Sequence, residues 1–300
     1  MTQPNCLTIA RTFVDIQLHR SQWQEQGLRV ALVPTMGNLH EGHFALVKLA
    51  RQYADRIVVS IFVNPLQFAR GEDFDHYPRT LEQDTLALAL LGVDVVFAPD
   101  SADIYPNNNS MANEVSSATT IVPAASLTNI LCGENRPGHF TGVSTIVGKL
   151  FNLIKPSVAI FGQKDYQQVA IIRQMIQDLN WGVELIVAPT TRAEDGLALS
   201  SRNQYLNEKQ RFIAPRIYQT LLSLADRLHD GERNYVKLIK QATEALKSSG
   251  FTRIDYVSIR HPNTLAPSIA SDCHWVLLVA VRLGNTRLID NLVVEADSLA

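Results

Sequence analysis

The chain has 300 residues, 46% hydrophobic and 19% charged, enough apolar material for a packed core and too much for intrinsic disorder. With 27 Lys+Arg against 29 Asp+Glu the net charge is −2, which gives no bulk drive toward nucleic acid or an anionic membrane. No apolar run reaches the roughly 18 residues that span a bilayer. The N-terminus lacks the pattern of a signal peptide, and Cys6, Cys132 and Cys273 show neither a disulfide framework nor zinc-ligand spacing. A cytoplasmic globular protein is expected.

Arg29–Val33 reads as a buried strand, followed by a Pro/Gly turn and a helix over Glu41–Ala54. Ile57–Val63 is near-continuously apolar, as in a parallel strand covered on both faces. Arg79–Leu91 reads as helix and Val93–Ala98 as strand; Asn107–Thr120 is polar and reads as a mobile surface loop. Val143, Ile146, Val147, Leu150, Phe151 and Ile154 recur at helical spacing until Pro156. Ser157–Phe161, Asp165–Leu179 and Val183–Val187 then read as strand, helix and strand. Strands alternating with helices predict a Rossmann-like parallel-sheet α/β domain over residues 1–189.

The remainder, 190–300, changes character. Glu208–Leu228, interrupted by Pro215, and Tyr235–Lys247 read as helices. Arg253–Arg260, His274–Leu283 and Thr286–Val294 read as strands, the last two joined at Gly284-Asn285. The expectation is a smaller α+β C-terminal domain acting as a cap.

The most informative stretch, Pro34-Thr35-Met36-Gly37-Asn38-Leu39-His40-Glu41-Gly42-His43, follows the first predicted strand and opens a helix. Ligands of open α/β sheets bind beyond the carboxyl ends of the strands. Glycines there allow close backbone approach, and a helix N-terminus offers unpaired N–H groups to a phosphate. The spacing fits neither a Walker phosphate loop nor a dinucleotide fingerprint, and two histidines alone do not make a zinc site. Asn64 and Gln67, past the next strand, are amides able to read hydroxyls or a carboxylate without adding charge. Lys164 sits at a helix entry, where a cation opposes the helix dipole unless an anion lies between. Leu199-Ser200-Ser201-Arg202 suits a phosphate clamp, and Arg136 and His139 enter on a Gly/Pro-rich loop.

Taken together, Pro34–His43, Phe62–Phe68, Gly71–Asp73 with Tyr77–Thr80, Arg136–Phe140, Phe161–Gln168, Asp195–Asn203 and Ile289–Asn291 closely resemble the pantothenate synthetase (pantoate–β-alanine ligase) family. That family lies within the HxGH nucleotidyltransferase superfamily shared with class I aminoacyl-tRNA synthetases. The resemblance runs from Arg29 to about Asn291, and the Asn64–Gln67 stretch and the Gln167-Gln168 pair make it specific.

The resemblance implies ATP-dependent condensation of pantoate with β-alanine, with Mg²⁺ as the cofactor, giving pantothenate, AMP and pyrophosphate through a pantoyl adenylate. It implies ATP contacts from Met36, Gly37, Asn38, Leu39, His40, Glu41, Gly42 and His43, from Gly162, Gln163, Lys164 and Asp165, and from Thr191, Leu199, Ser200, Ser201 and Arg202. His40, His43, Lys164 and Arg202 would carry the charge chemistry, and Gln67, Gln168 and Asn64 would bind pantoate and β-alanine. Mg²⁺ would be held mainly by triphosphate oxygens, with Asp84 the one protein ligand considered. Gln163 and Thr191 stand where the family usually has Glu and Val. A homodimer is implied. The competing readings are another HxGH adenylyltransferase with no amine step, and a nucleotide-binding module without catalysis.

Overall fold

The apolar runs become strands of one parallel sheet, because burial on both faces leaves their backbone groups only each other to bond. The computed structural model describes residues 7–69, 71–106 and 118–296, so most of the 107–120 stretch lies outside the described residues. In chain order the first part contains β1 (Thr8–Ala10), α1 (Phe13–Glu25), β2 (Val30–Thr35), α2 (Glu41–Ala50), β3 (Arg56–Ile61), α3 (Leu81–Leu90) and β4 (Val95–Phe97). Three short helices follow, α4 (Ser101–Ile104), α5 (Ala125–Thr128) and α6 (Leu131–Asn135). Then come α7 (His139–Ile154), β5 (Val158–Gly162), α8 (Tyr166–Asp178) and β6 (Glu184–Ala188). The sheet order is β1-β4-β3-β2-β5-β6, with every pairing parallel.

That order reverses at β2: the chain moves one way to β3 and the other way to β5. The seam between β2 and β5 is also the weakest, with only Ala31↔Val158 and Leu32↔Ala159 in register. Its neighbours continue further, to Thr35↔Ile61 on one side and Gly162↔Ala188 on the other. Pro34 explains the difference. The Val30 carbonyl accepts from Ser157 N–H on the β5 side, and the Thr35 carbonyl accepts from Phe62 N–H on the β3 side. Alternation therefore aims residues 30, 32 and 34 at β5, where proline has no N–H to give.

The second part contains α9 (Glu208–Ile213), α10 (Arg216–His229), α11 (Tyr235–Ser248) and an antiparallel sheet β7-β8-β9 of Arg253–Arg260, His274–Leu283 and Thr286–Glu295. Pro215 separates α9 from α10, as expected of a residue that cannot continue a helix. Alternation along β8 decides what each face meets. Trp275, Leu277, Val279 and Val281 pack on the apolar stripes of α10 and α11. Val276 and Leu278 point the other way, into a cluster with Leu131, Ala170, Ile171 and Met175 of the first part.

Five elements escaped sequence reading: β1, α1 and the short helices α4, α5 and α6. β1 has only three residues, and α1 buries only Ile16 and Trp23, so neither shows a sustained period. α2 also stops at Ala50, short of the expected Ala54. No helix among the described residues is long and apolar enough to cross a membrane. Leu278→Ala should cost about 2–5 kcal/mol of unfolding free energy in urea titrations, since it opens the core that joins the two sheets.

Candidate active site

The turn after β2 is built around a buried carboxylate. Asp84, 4% exposed on α3, accepts Asn38 N–H and Leu39 N–H, both at 2.9 Å, and the Thr80 hydroxyl at 3.1 Å. Gly37 (φ +83°) and Asn38 (φ +51°) hold left-handed backbone; a Cβ on Gly37 would lie 3.1 Å from Ile61 Cγ2 and 3.2 Å from Asp84 Oδ2. Asp84, weighed from sequence as a metal ligand, is instead committed to the backbone of this turn.

The two histidines then start α2. His40 is the N-cap: its Nδ1 accepts Gly42 N–H at 3.1 Å, while His43 Nδ1 accepts His40 N–H at 3.3 Å. A side chain at Gly42 would put its Cβ 2.8 Å from the His40 ring. The expectation of bare helix N–H groups is corrected in part, since the His40 and Gly42 N–H groups are taken by imidazoles and the His43 N–H by the His40 carbonyl. An Nδ1 that accepts carries no proton, so each neutral ring bears its N–H at Nε2. The donor capacity of the helix start is handed to two imidazole Nε2–H groups.

The opposite bank of the seam is the end of β5. A tight turn over Gln163–Asp165 sets Lys164 Nζ 3.7 Å from Asp165. Asn291 of β9 grips this turn, donating through Nδ2 to the carbonyls of Gln163 and Lys164 at 2.9 Å each. The Gln163 amide donates back to Asn291 Oδ1 at 3.3 Å, a bond a glutamate carboxylate could not donate. Beside it, Arg192 is bidentate to buried Asp290 at 2.6 and 2.9 Å and lies 3.7 Å over the Tyr218 ring. Far from being a solvated linker, this segment is anchored. Ser201 Oγ donates to the Asn38 carbonyl at 3.1 Å, and Arg202 pairs with Asp73 at 2.7 and 3.0 Å.

A cavity of about 180 Å³ fills the opened seam. Met36, His40, Gly42 and His43 line one bank, Gly162, Lys164, Asp165 and Gln168 the other, with Thr191, Leu199, Ser200, Ser201 and Arg202 above. It shares Lys164, Asp165, Ser200 and Arg202 with a cleft of about 1160 Å³ that extends toward Arg282, Arg287 and Asp290. Not all expected residues reach it. Gly37, Asn38 and Leu39 shape the turn, Glu41 is exposed, and Gln163 faces Asn291. Gln67 abuts the cavity through Met36, donating its amide to the Met36 sulfur at 2.7 Å. Asn64 is a correction: 1% exposed, it spends its amide on Gln67, Gly142, Leu66 and Tyr105 and lies behind Gln67.

Sequence reasoning noted Arg136 and His139 but not their task. Glu72 holds the Arg136 guanidinium at 2.6 Å, and Arg136 and His139 converge on the Gln67 carbonyl at 3.2 and 2.7 Å. Burial alone would raise the Glu72 carboxyl, but the two-pronged bond from Arg136 brings it below its usual range. Tyr105 had no local signal at all.

Burial, reinforced by Lys164, lowers His40 to about 4, and burial with His40 and Lys164 lowers His43 to about 3. Both rings are neutral donors at pH 7. The unfolded chain takes up these protons below about pH 6.5 while the folded chain does not until about 4, so stability falls on acidification through that window. Urea titrations between pH 7 and 4 should show the loss. His40→Asn, which keeps a capping oxygen, should reduce that slope by no more than about 1.4 kcal/mol per pH unit.

Residues 8–293 match the family model described as pantoate-beta-alanine ligase. The pantothenate synthetase of Ectopseudomonas mendocina is 49% identical over 96% of this chain and 99% of its own length. That of Neisseria meningitidis serogroup A is 53% identical over 91% and 95%. The crystal structure of the Thermus thermophilus pantothenate synthetase superposes with a TM-score of 0.86 at 41% identity, covering 95% of this chain and 98% of that one. A pantoate-beta-alanine ligase of Francisella tularensis, solved with beta-gamma ATP and β-alanine, gives 0.79 at 36% identity over 96% and 97%.

Proposed function

Because the chain belongs to the pantoate–β-alanine ligase family, it joins pantoate to β-alanine in an ATP-dependent amide-forming ligation, and we propose that both half-reactions run in the opened seam between β2 and β5. One observation supports this assignment: His40, His43, Lys164, Gln168 and Ser200 all line one cavity.

In the first half-reaction the pantoate carboxylate attacks the α-phosphorus of ATP and pyrophosphate leaves. No acid is needed for that attack, and neutral imidazoles are poor acids. His40 and His43 therefore act as hydrogen-bond donors aimed at the charge that builds on the phosphates. Lys164 adds a fixed cation across the seam. Arg202 reaches the wall already paired with Asp73, so its grip on the β- and γ-phosphates trades one carboxylate for phosphate oxygens. Gln67 and Gln168 hold pantoate through neutral amides, which leave its carboxylate nucleophilic where a cation clamped on it would blunt it. The amine of β-alanine then attacks the acyl carbon and AMP leaves.

Mg²⁺ fits this site as a companion of the triphosphate. Among the described residues no three His, Cys, Asp or Glu side chains meet as a cage, and the Asp84 carboxylate is taken up by the turn. The ion would offset charge on the departing pyrophosphate. In this reading residues 1–189 supply the substrate seam, 190–300 cap it, and the protein works as a cytoplasmic homodimer.

AMP should form from ATP and Mg²⁺ only when pantoate and β-alanine are both present; sustained pyrophosphate without AMP would instead mark an adenylyltransferase. His43→Ala should slow adenylate formation by about 10²–10³, measured as pyrophosphate release in a single turnover. Gln168→Ala should raise the pantoate KM far more than the ATP KM in steady-state assays.

A further inference from the structure

Behind Gln67 runs a chain of hydrogen bonds with a single direction. Tyr105, 2% exposed at the end of α4, places its hydroxyl 2.8 Å from Asn64 Oδ1. Asn64 Nδ2 then donates to the Gly142 carbonyl at 3.1 Å and to Gln67 Oε1 at 3.2 Å. A backbone carbonyl only accepts, so Asn64 must turn its nitrogen toward Gly142 and its oxygen toward Tyr105. The remaining bond to that oxygen, from Leu66 N–H, is longer at 3.3 Å. The phenol thus supplies the short contact that seats the amide.

The consequence passes one residue further. With its oxygen engaged by Asn64, Gln67 must present its NH₂ on the other side, where it meets the Met36 sulfur at 2.7 Å. That leaves one amide N–H without a protein partner among the described residues, beside a sulfur that lines the cavity. Were Gln67 inverted, a carbonyl oxygen would face the substrate carboxylate and hydroxyls.

We propose that Tyr105 is a positioning residue for pantoate, acting through Asn64 to fix the Gln67 amide with its NH₂ toward the substrate. The proposal rests on Gln67 being a pantoate ligand. Burial raises the Tyr105 phenol well above its ordinary range, so it stays a donor at any working pH. Lys149 lies 5.6 Å over the Tyr105 ring and helps hold it.

The test is calorimetric titration of pantoate into the full-length protein with a non-hydrolysable ATP analogue present, alongside thermal melts. Tyr105→Phe should weaken pantoate about five- to tenfold, the range for one lost buried hydrogen bond, and leave affinity for the analogue within about twofold. Asn64→Asp keeps the shape but cannot donate, and should weaken pantoate more than Tyr105→Phe does. In a Gln67→Ala background, Tyr105→Phe should have no further effect on pantoate. A Tyr105→Phe effect that persists there, or that falls equally on pantoate and nucleotide, overturns the relay and leaves only a packing role. A Tyr105→Phe variant that melts earlier yet binds pantoate normally overturns it too. If Gln67→Ala alone leaves pantoate affinity intact, the ligand reading of Gln67 fails, and the relay with it.

Discussion

A missing hydrogen governs the shape of this site. Pro34 occupies the strand position that should offer an N–H to β5, and the β2–β5 ladder ends after Leu32↔Ala159. Every other seam of the sheet continues to the strand ends or is left at an edge. The strands on either side of the opened seam then run on into two turns that face each other. One carries the capped histidines and the other carries Lys164 and, at the start of α8, Gln168. Chain reversal at the same seam keeps crossover helices from covering it. Topology locates the crevice, and proline gives it width.

Within the crevice, charge is arranged sparingly. At the helix start the His40 and Gly42 N–H groups are satisfied by imidazole nitrogens, and the two rings carry donors that reach further from the backbone. Around Gln67 one amide is held by another. Two ionic pairs brace neighbours of the crevice: Glu72 with Arg136 under the Gln67 carbonyl, and Arg192 with Asp290 beside the Asn291 contact on the Gln163–Lys164 turn. Partial burial keeps those pairs ordered.

Most of the fold was legible because its strands are apolar runs and its helices carry stripes, and Pro215 and Gly284-Asn285 mark their own positions. α1 and β1 were not, since an edge strand of three residues and a helix with two buried side chains leave almost no pattern. The site divides along similar lines. Residues that touch the cavity sit in recognisable motifs at strand ends. Those that hold them do not. Asp84 looks like any acid in the first turn of a helix, and Tyr105 and Asn64 meet across 41 residues. Asn64 itself was assigned to substrate because its place past a strand end is visible in sequence, whereas the phenol that occupies its oxygen is not.

The Asn291 grip on the Gln163–Lys164 turn has a bearing on how the protein is made. β9 is the final strand among the described residues, yet its side chain fastens a turn laid down more than a hundred positions earlier. A nascent chain that has emerged only as far as β6 already owns both histidines, the proline and the parted strands. It lacks the clamp on Lys164, the Arg192–Asp290 pair and the apolar wall against α8. The site is therefore braced only once β9 has been made, and a product terminated before it would lack part of the apparatus that holds the site.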